Sequence, residues 1–298
     1  MEQPLVSVVI PFYSGMHWLI EAINSVVKQT YKNIEILVIN DGSSESMEEV
    51  KNIFGSSIII INKKNGGPAS ARNLGIEKSS GKYIAFLDSD DIWDKDKLTI
   101  QISEMESNGY IWSQHSYEMF WENTNKTKSI NTSIYSGNIF IDCFISLKIQ
   151  TSCVVILRKI LIDSNIRFPI EKRYGQDGAF YRYIARDNPI GYVNGVYTRF
   201  RVRGSNAGFR AKVQIDDRAS IWNEIKKDKN LLTSLPVPIR FAYKASNFIS
   251  KCLNNVSERF IKNTKYLEIL SRLMYILPYT IYKIYAKKSY KSIPHKFL

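Results

Sequence analysis

Hydrophobic and polar positions alternate in blocks along the N-terminal third of the chain. Residues 5–12 are rich in β-branched side chains, as expected of a strand that is buried on both faces. Residues 17–29 then repeat apolar side chains at helical spacing. Further strands are predicted at residues 34–39, 58–61 and 83–87. The acidic segment 46–54 takes the helical position between the second and third strands, and a helix is predicted at residues 69–78. This β-α-β-α-β-α-β order predicts an α/β fold with a mostly parallel, Rossmann-like sheet flanked by helices, which binds ligands at the carboxyl ends of its strands.

Beyond residue 87 the pattern is less regular. We predict helices at residues 96–107, 137–147 and 181–186, and strands within residues 110–120 and at residues 152–157. Residues 190–202 predict a pair of strands. From Ala211 onward three helical stretches follow, separated near residues 236–238 and 254–255. A helical C-terminal extension therefore follows the α/β part of the chain.

Composition favours a folded protein of the cytosol. The chain has 298 residues, of which 44% are hydrophobic, so it can bury a substantial core. Cys143, Cys153 and Cys252 are unclustered and lack the spacing of a metal site, which suits a reducing compartment. The first residues do not resemble a signal peptide. We therefore expect a cytoplasmic protein.

The net charge of +13 is concentrated in the last third of the chain. Residues 199–298 contain 21 Lys and Arg residues against 6 Asp and Glu residues, a net of +15, whereas residues 1–198 contain 20 against 22. This asymmetry argues against a general nucleic-acid-binding protein and favours an extension that contacts an anionic membrane surface. The apolar stretch 273–282 is too short to span a bilayer, so we predict an interfacial amphipathic segment. The alternative is a helix that packs on the rest of the chain or on a second subunit.

Three carboxylates follow the fourth predicted strand within four residues, at Asp88, Asp90 and Asp91. Like charges at one strand end repel unless a cation or ligand lies among them, so the cluster favours a metal and nucleotide site. Asp41 follows the second strand, and the carboxyl ends of parallel strands meet at one edge of a sheet. The alternative is a solvated acidic turn before a helix. For Asp91 we favour the role of helix cap.

Five short motifs occur in order between residues 8 and 177. They are VVIPFY at 8–13, NDGS at 40–43, NGGPASARN at 65–73, DSD at 88–90 and QD at 176–177. The ordered set resembles the family-2 glycosyltransferases of GT-A fold that assemble bacterial surface polysaccharides. The resemblance implies a catalytic domain at residues 1–206, with a nucleotide-sugar half at 1–92 and an acceptor half at 93–206. Residues 207–298 are then the basic helical extension.

The resemblance places the nucleotide base at the ends of the first two strands. Asp41 would accept a hydrogen bond from the N3–H of uracil or thymine. Cytosine presents an acceptor at that position, so it would oppose the carboxylate. A UDP-sugar or dTDP-sugar is therefore the expected donor, and GDP is disfavoured by shape and by the family pattern. Pro11, Phe12 and Tyr13 would lie against the base and ribose, with an aromatic ring stacked on the base. An ordinary turn at Asp41 is the alternative.

The remaining donor contacts are also implied by the resemblance. Gly66 would let the backbone approach the ligand, and Arg72 would reach the nucleotide or the acidic groups, the alternative for Arg72 being a solvated side chain. Asp88 would lie on the ribose side, and Ser89 would also belong to the donor site. Asp90 would hold Mg²⁺ or Mn²⁺, because hard, hydrated cations prefer oxygen ligands and bridge the two phosphates.

Two departures from the family pattern concern the reacting groups. Asp177 matches the general base of the family, and its alternative role is a helix N-cap. Gln176 replaces the Glu that usually precedes this base. Many relatives carry a His where this chain offers Arg203, which can clamp phosphate but cannot bind a cation. Simple solvated charge is the alternative for Arg203.

We therefore predict a metal-dependent, inverting enzyme that transfers one sugar from a UDP-sugar to a saccharide acceptor. The chain lacks the Gln-x-x-Arg-Trp motif of processive synthases, so transfer of a single sugar is expected. A polyprenyl-diphosphate-linked acceptor in O-antigen or capsule synthesis would agree with attachment to the inner face of the cell membrane. A nucleotide-sugar-binding or scaffold protein without turnover is the alternative, and a homo-oligomer through the C-terminal segment stays open.

Overall fold

The computed structural model describes residues 3–172, 174–203, 210–259 and 264–289. Of these residues, 3–140 and 148–202 belong to one compact unit, and 141–147 with the described residues from 203 onward belong to another. The predicted domain boundary between residues 206 and 207 lies outside the described residues.

The first unit is built on one sheet. Its strands within the described residues are β1 (Val6–Phe12), β2 (Ile34–Asn40), β3 (Ile59–Asn62), β4 (Tyr83–Phe86), β5 (Ile92–Trp93), β6 (Trp112–Trp121), β7 (Thr127–Ile130), β8 (Val155–Leu157) and β9 (Ile190–Val202). They lie in the order β3-β2-β1-β4-β8-β6-β9-β5, with β7 paired to β6. β1 is parallel to β2 and β4, and β2 is parallel to β3, which confirms the predicted parallel half.

The register of the parallel strands aligns their carboxyl ends. Val9 of β1 lies opposite both Leu37 of β2 and Phe86 of β4. Phe12 and Asn40, the last residues of β1 and β2, are also partners. The segments that follow β1, β2 and β4 therefore leave the sheet at one edge.

Helices connect the strands and form the C-terminal part of the chain. Within the described residues they are α1 (Met16–Val27), α2 (Glu48–Phe54), α3 (Gly67–Lys78), α4 (Lys97–Asn108), α5 (Asp142–Ile145), α6 (Arg158–Asp163), α7 (Gln176–Ala185), α8 (Ala211–Ile225), α9 (Lys229–Ser234), α10 (Val237–Arg259) and α11 (Thr264–Ser289). Of these, α5 and α8 to α11 belong to the second unit.

The core of the first unit explains its tight helix packing. Leu19 and Ile23 of α1 are fully buried in one cluster with Ile10 of β1. α3 lies so close to β1 that a Cβ atom at Gly75 would be 2.2 Å from Cγ1 of Val9. Only glycine fits at that position, so α3 is held directly over the strand that leads to the sheet edge.

The second unit has its own core. Ile215 of α8 and Leu253 of α10 are buried against Tyr275 of α11. The hydroxyl of Tyr243 in α10 donates to the carbonyl oxygen of Phe144 at 2.8 Å, which ties residues 141–147 to the helices. In the part of the chain that the structure describes, every helix is too short or too polar to cross a bilayer.

Three predicted elements differ from the structure. Residues 137–147 form only the short α5, because Gly137 adopts a φ of 75° and pairs with Ile190 across the sheet. Residues 190–202 are a single strand, because Gly195, with a φ of 135°, accommodates a bulge opposite Ser116 instead of a turn. α10 continues through residues 254–255 to Arg259. β5, β7 and α6 were not predicted.

Candidate active site

Asp41 is buried at the N-terminus of α3. One carboxylate oxygen accepts the Gly66 N–H at 2.9 Å and the ammonium of Lys63, and the other accepts the Gly67 N–H at 2.7 Å. The positive end of the α3 dipole stabilises a carboxylate at this place. The backbone of Gly66 therefore approaches Asp41 closely, and the contact of Asp41 with a nucleotide base stays a prediction.

The aromatic pair at the end of β1 divides into two roles. Phe12 is 1% exposed and belongs to the core cluster of the first unit, so its ring is not available to stack on a base. Tyr13 is 57% exposed and follows directly, and Pro11 is half-buried. Of the two rings Tyr13 is therefore the one that can stack on a base, because the Phe12 ring packs in the core. The predicted position of residues 11–13 against base and ribose stays a prediction.

Arg72 and Asp88 join α3 to the end of β4. Nη2 of Arg72 lies 2.6 Å from Oδ1 of Asp88, and the guanidinium is 5.3 Å from the centre of the Phe168 ring. Burial alone would lower the pKa of Arg72, but the charge of Asp88, its hydrogen bond to Arg72 and the charge of Asp177 raise that pKa above its ordinary value. Arg72 is therefore a buried cation, and the alternative of a solvated side chain is wrong.

Asp91 has a different role from the predicted helix cap. It is buried, precedes β5, and accepts hydrogen bonds from the Ser152 hydroxyl at 2.5 Å and the Arg201 N–H at 3.0 Å. Burial, with the nearby carboxylates of Asp90 and Asp88, raises the pKa of Asp91 well above its usual range. The cap prediction fails because the next helix, α4, begins only at Lys97.

Ser152 and Arg201 fix the backbone of the acidic turn. The Asp88 N–H donates to the Ser152 hydroxyl at 3.1 Å, and Nε of Arg201 donates to the Asp90 carbonyl oxygen at 2.9 Å. The guanidinium of Arg201 also pairs with Glu21 and with Glu122, the latter at 3.0 Å. Sequence reasoning missed Arg201, because the motif RFRVR presents three arginines without indicating which one is buried.

The N-terminus of α7 brings Asp177 to the same place. Gly175, with a φ of 67°, occupies the N-cap position, so the half-buried Asp177 lies within the first turn and is not the cap. The charge of Asp177 acts on both Arg72 and Tyr181, whose pKa values burial and neighbouring charges perturb. Asp177 therefore lies within electrostatic reach of the Arg72–Asp88 pair.

An aromatic cluster anchors α7. The rings of Phe168 and Phe180 stack with centres 3.8 Å apart, and Phe86 packs edge-on against both. The side chain of Asn73 exchanges two hydrogen bonds with the backbone of Phe168, at 2.8 and 2.9 Å. Because Asn73 follows Arg72 on α3, these contacts hold Phe168, in the segment before Asp177, against α3.

The remaining predicted residues are less defined by contacts. Ser89 is half-buried in the turn after β4. Arg203 is exposed and follows β9, in the second unit. Their predicted contacts with the donor stay predictions.

The acidic turn suits a cation that is shared with a ligand. Among the described residues, His, Cys, Asp and Glu side chains form no group of three or more that could hold a metal ion by themselves. Mg²⁺ and Mn²⁺ are commonly bound by one or two carboxylates together with substrate phosphates. The half-buried Asp90, between Asp88 and Asp91, fits that arrangement.

The comparison with family models decides the classification. The model described as glycosyl transferase family 2 matches residues 7–164. The chain belongs to this family. The match includes the strands that deliver Asp41, Asp88 and Asp90, and it ends before Asp177.

Relatives within the family include proteins of known and unknown activity. An uncharacterized glycosyltransferase of Rickettsia bellii is 41% identical over 211 residues, which cover 68% of this chain and 30% of that protein. The chain spans 30–34% of the length of three such Rickettsia relatives. The UDP-Glc:alpha-D-GlcNAc-diphosphoundecaprenol beta-1,3-glucosyltransferase WfgD of Escherichia coli is 32% identical over 198 residues, covering 65% of this chain and 75% of WfgD.

A solved structure supports the fold assignment. TarS of S. aureus, determined in complex with UDP-GlcNAc, superposes with a TM-score of 0.62. The alignment covers 93% of this chain and 82% of the solved TarS fragment, residues 1–349, at 18% identity. The family-2 chain therefore has a GT-A-like fold, as the motifs predict.

Proposed function

We propose that this family-2 protein transfers a single sugar from a UDP-sugar to a saccharide acceptor with inversion at the anomeric carbon. The proposal rests mainly on one observation. Arg72 forms an ion pair with Asp88, and the charge of Asp177 raises the pKa of Arg72, although the two carboxylates lie on separate elements. A candidate donor-side carboxylate thus contacts a buried cation on which the candidate base also acts electrostatically. That arrangement suits attack on a sugar held between them.

The donor preference follows from the fixed carboxylate of Asp41. The N–H groups of Gly66 and Gly67 orient its two oxygens, each of which can accept more than one hydrogen bond. An N–H donor such as N3 of uracil complements these oxygens, whereas the N3 acceptor of cytosine opposes them. A UDP-sugar is the preferred donor, with a dTDP-sugar as the second choice, and the exposed ring of Tyr13 can stack on the base.

A divalent cation would be held by Asp90 and the donor diphosphate. Such a cation would offset the charge that develops on the departing nucleotide. The Arg201 contact with the Asp90 carbonyl oxygen orients this turn, and the Arg72 contact directs Asp88. Arg203 could add a phosphate contact.

Asp177 is the proposed general base. An inverting transfer needs one carboxylate to take the proton from the acceptor hydroxyl as that oxygen attacks from the face opposite the nucleotide. The stack of Phe168 on Phe180 supports this role, because it anchors the helix whose first turn carries Asp177. Gln176, whose side chain donates to the Lys172 carbonyl oxygen at 2.5 Å, contributes no competing negative charge.

The proposed acceptor is a saccharide linked to a polyprenyl diphosphate, in O-antigen or capsule synthesis. The name of WfgD states that it uses such a diphosphoundecaprenol acceptor. The net charge of +15 on residues 199–298 supports attachment to the inner face of the cell membrane, where a lipid-linked acceptor is anchored. We therefore propose a lipid-linked saccharide, and no nucleic acid, as the partner of this chain.

A donor panel tests the proposal. The chain is incubated with UDP-, dTDP- and GDP-sugars, Mn²⁺ or Mg²⁺, and a GlcNAc-diphosphopolyprenol acceptor, and products are detected by mass spectrometry. We expect addition of one sugar, fastest from a UDP-sugar, and NMR should show an inverted anomeric configuration. Donor binding without transfer from any sugar would instead favour a nucleotide-sugar-binding protein without turnover.

A further inference from the structure

Helix α11 has two faces of different character. One face lies in the core of the second unit, where Tyr275 and Tyr282 are 8% and 7% exposed. Tyr275 also donates to the Gln214 side chain of α8 at 2.5 Å. The apolar stretch predicted from sequence to contact a membrane therefore includes residues that are needed for the core.

The opposite face, which we call the outer face of α11, is apolar and exposed. Its large apolar side chains are 49–66% exposed and recur at spacings of three, four and seven: Tyr266, Ile269, Leu273, Ile276, Leu277 and Ile284. These positions extend over about 27 Å along a helix with a rise of 1.5 Å per residue. A continuous exposed apolar stripe of this length marks an interaction surface.

Cations are interspersed with this stripe. Lys265, Arg272 and Lys283 are exposed at its two ends and near its middle. Among residues 265–285 the single acidic residue is Glu268, which is half-buried, pairs with Arg272 at 3.6 Å and accepts the Ala211 N–H at 2.9 Å. The exposed positions of the outer face are therefore apolar, neutral or cationic.

Charge decides between the two occupants that could cover this face. A second copy of the chain, docked through the same face about a two-fold axis, would bring like charges together, because both faces carry Lys and Arg without exposed acids. An anionic phospholipid surface offers both a complementary charge and an apolar layer below it. The lipid surface is therefore the better match.

We propose that the outer face of α11 lies in the interface of an anionic phospholipid bilayer, with the helix parallel to the membrane plane. The inference specifies the membrane attachment named in the proposed function. Ile269, Leu273 and Ile276 enter the boundary between headgroups and acyl chains. Lys265 and Lys283 remain at the level of the lipid phosphates.

Vesicle sedimentation tests the proposal without donor or acceptor, so that its outcome is independent of the transfer reaction. The full chain is mixed with vesicles of phosphatidylglycerol and phosphatidylethanolamine, or of phosphatidylcholine alone. We expect binding to the anionic vesicles and at least tenfold weaker binding to the neutral ones. The double variant Leu273→Glu/Ile276→Glu should lose at least tenfold of the anionic binding.

Two controls separate lipid contact from folding and from self-association. Ile53→Glu/Ile59→Glu changes two apolar residues of the first unit that are 52% and 49% exposed, and it should bind vesicles as the wild type does. Circular dichroism should show native helix content in both double variants. The proposal is overturned if the wild type ignores anionic vesicles, if the α11 variant binds them normally, or if that variant instead converts a dimer to a monomer.

Discussion

Arg72 of α3 and Asp88 at the end of β4 form a largely buried ion pair with 2.6 Å between Nη2 and Oδ1. A pair between two rigid elements fixes the direction of the carboxylate that the family pattern places beside the donor ribose. The Phe168 ring supports the other side of the guanidinium. The position of the donor should therefore depend on the shape of Arg72 as well as on its charge.

Replacing Arg72 by Lys should weaken UDP binding by about tenfold. Lysine keeps the positive charge, but its compact ammonium cannot reproduce the planar guanidinium that pairs with Asp88 and lies 5.3 Å from the centre of the Phe168 ring. Isothermal titration with UDP measures the change. Lys78→Arg at the exposed end of α3 is the control and should leave UDP affinity unchanged. Equal affinities of Arg72→Lys and wild type would show that the guanidinium geometry is unimportant.

Replacing Asp90 by Ala should abolish the stimulation of transfer by Mn²⁺ and weaken UDP binding in its presence. Asp90 is the residue that we expect to hold the cation together with the diphosphate. Activity and UDP affinity are measured across a Mn²⁺ titration. Asp94→Ala, at an exposed carboxylate four residues later, should keep normal metal dependence. Unchanged metal dependence in Asp90→Ala would place the cation elsewhere.

Replacing Arg201 by Met should destabilise the first unit by about 2 kcal/mol, because the buried guanidinium loses charged hydrogen bonds to Glu122 and to the Asp90 carbonyl oxygen. Arg201 is 4% exposed and contacts Glu21, Glu122 and the Asp90 carbonyl oxygen. Urea unfolding measures the loss. Arg199→Met, on the same strand but half exposed, should cost less than 1 kcal/mol. Similar losses in both variants would contradict the role of Arg201.

Removing the buried ammonium of Lys97 should stabilise the protein. Burial lowers the pKa of Lys97 from 10.5 to about 7, and its Nζ lacks a hydrogen-bond partner among the described residues while lying 3.7 Å from the centre of the Trp93 ring. Above pH 7 the unfolded chain therefore holds a proton that the folded chain releases. This difference raises wild-type stability with pH by up to about 1.4 kcal/mol per unit.

Lys97→Met should remove this slope and show its greatest gain in stability at or below pH 7. Urea unfolding between pH 7 and 7.5 measures it, where an unfolded Cys153, with an ordinary pKa of about 8.5, is still mostly protonated. Lys95→Met, at an exposed position, should keep the wild-type slope. A wild-type slope in Lys97→Met would mean that Lys97 is not the group that titrates.

The strands that lead to the acidic turn were predictable from the sequence, whereas the residues that hold this turn in place were not. β1, β2 and β4 were predictable because each is a short apolar run, and parallel pairing brings their ends together. The burial of Arg201 was not predictable, because Arg199, Arg201 and Arg203 are spaced by two and would lie on the same face of a strand. Only Glu21 and Glu122, which are distant in sequence, distinguish Arg201 from the other two. Residues 137–147 failed as a helix because the pairing of Gly137 with Ile190 is non-local.

The most direct test of the central claim is a comparison of donor binding and sugar transfer in Asp177→Asn. The account predicts that transfer falls by ~10² or more, the usual worth of a positioned base, while UDP-sugar affinity changes by no more than a few-fold. Asp187→Asn, at an exposed carboxylate just after α7, should retain both. Normal transfer by Asp177→Asn, or loss of donor binding together with activity, would contradict the assignment of Asp177 as the base.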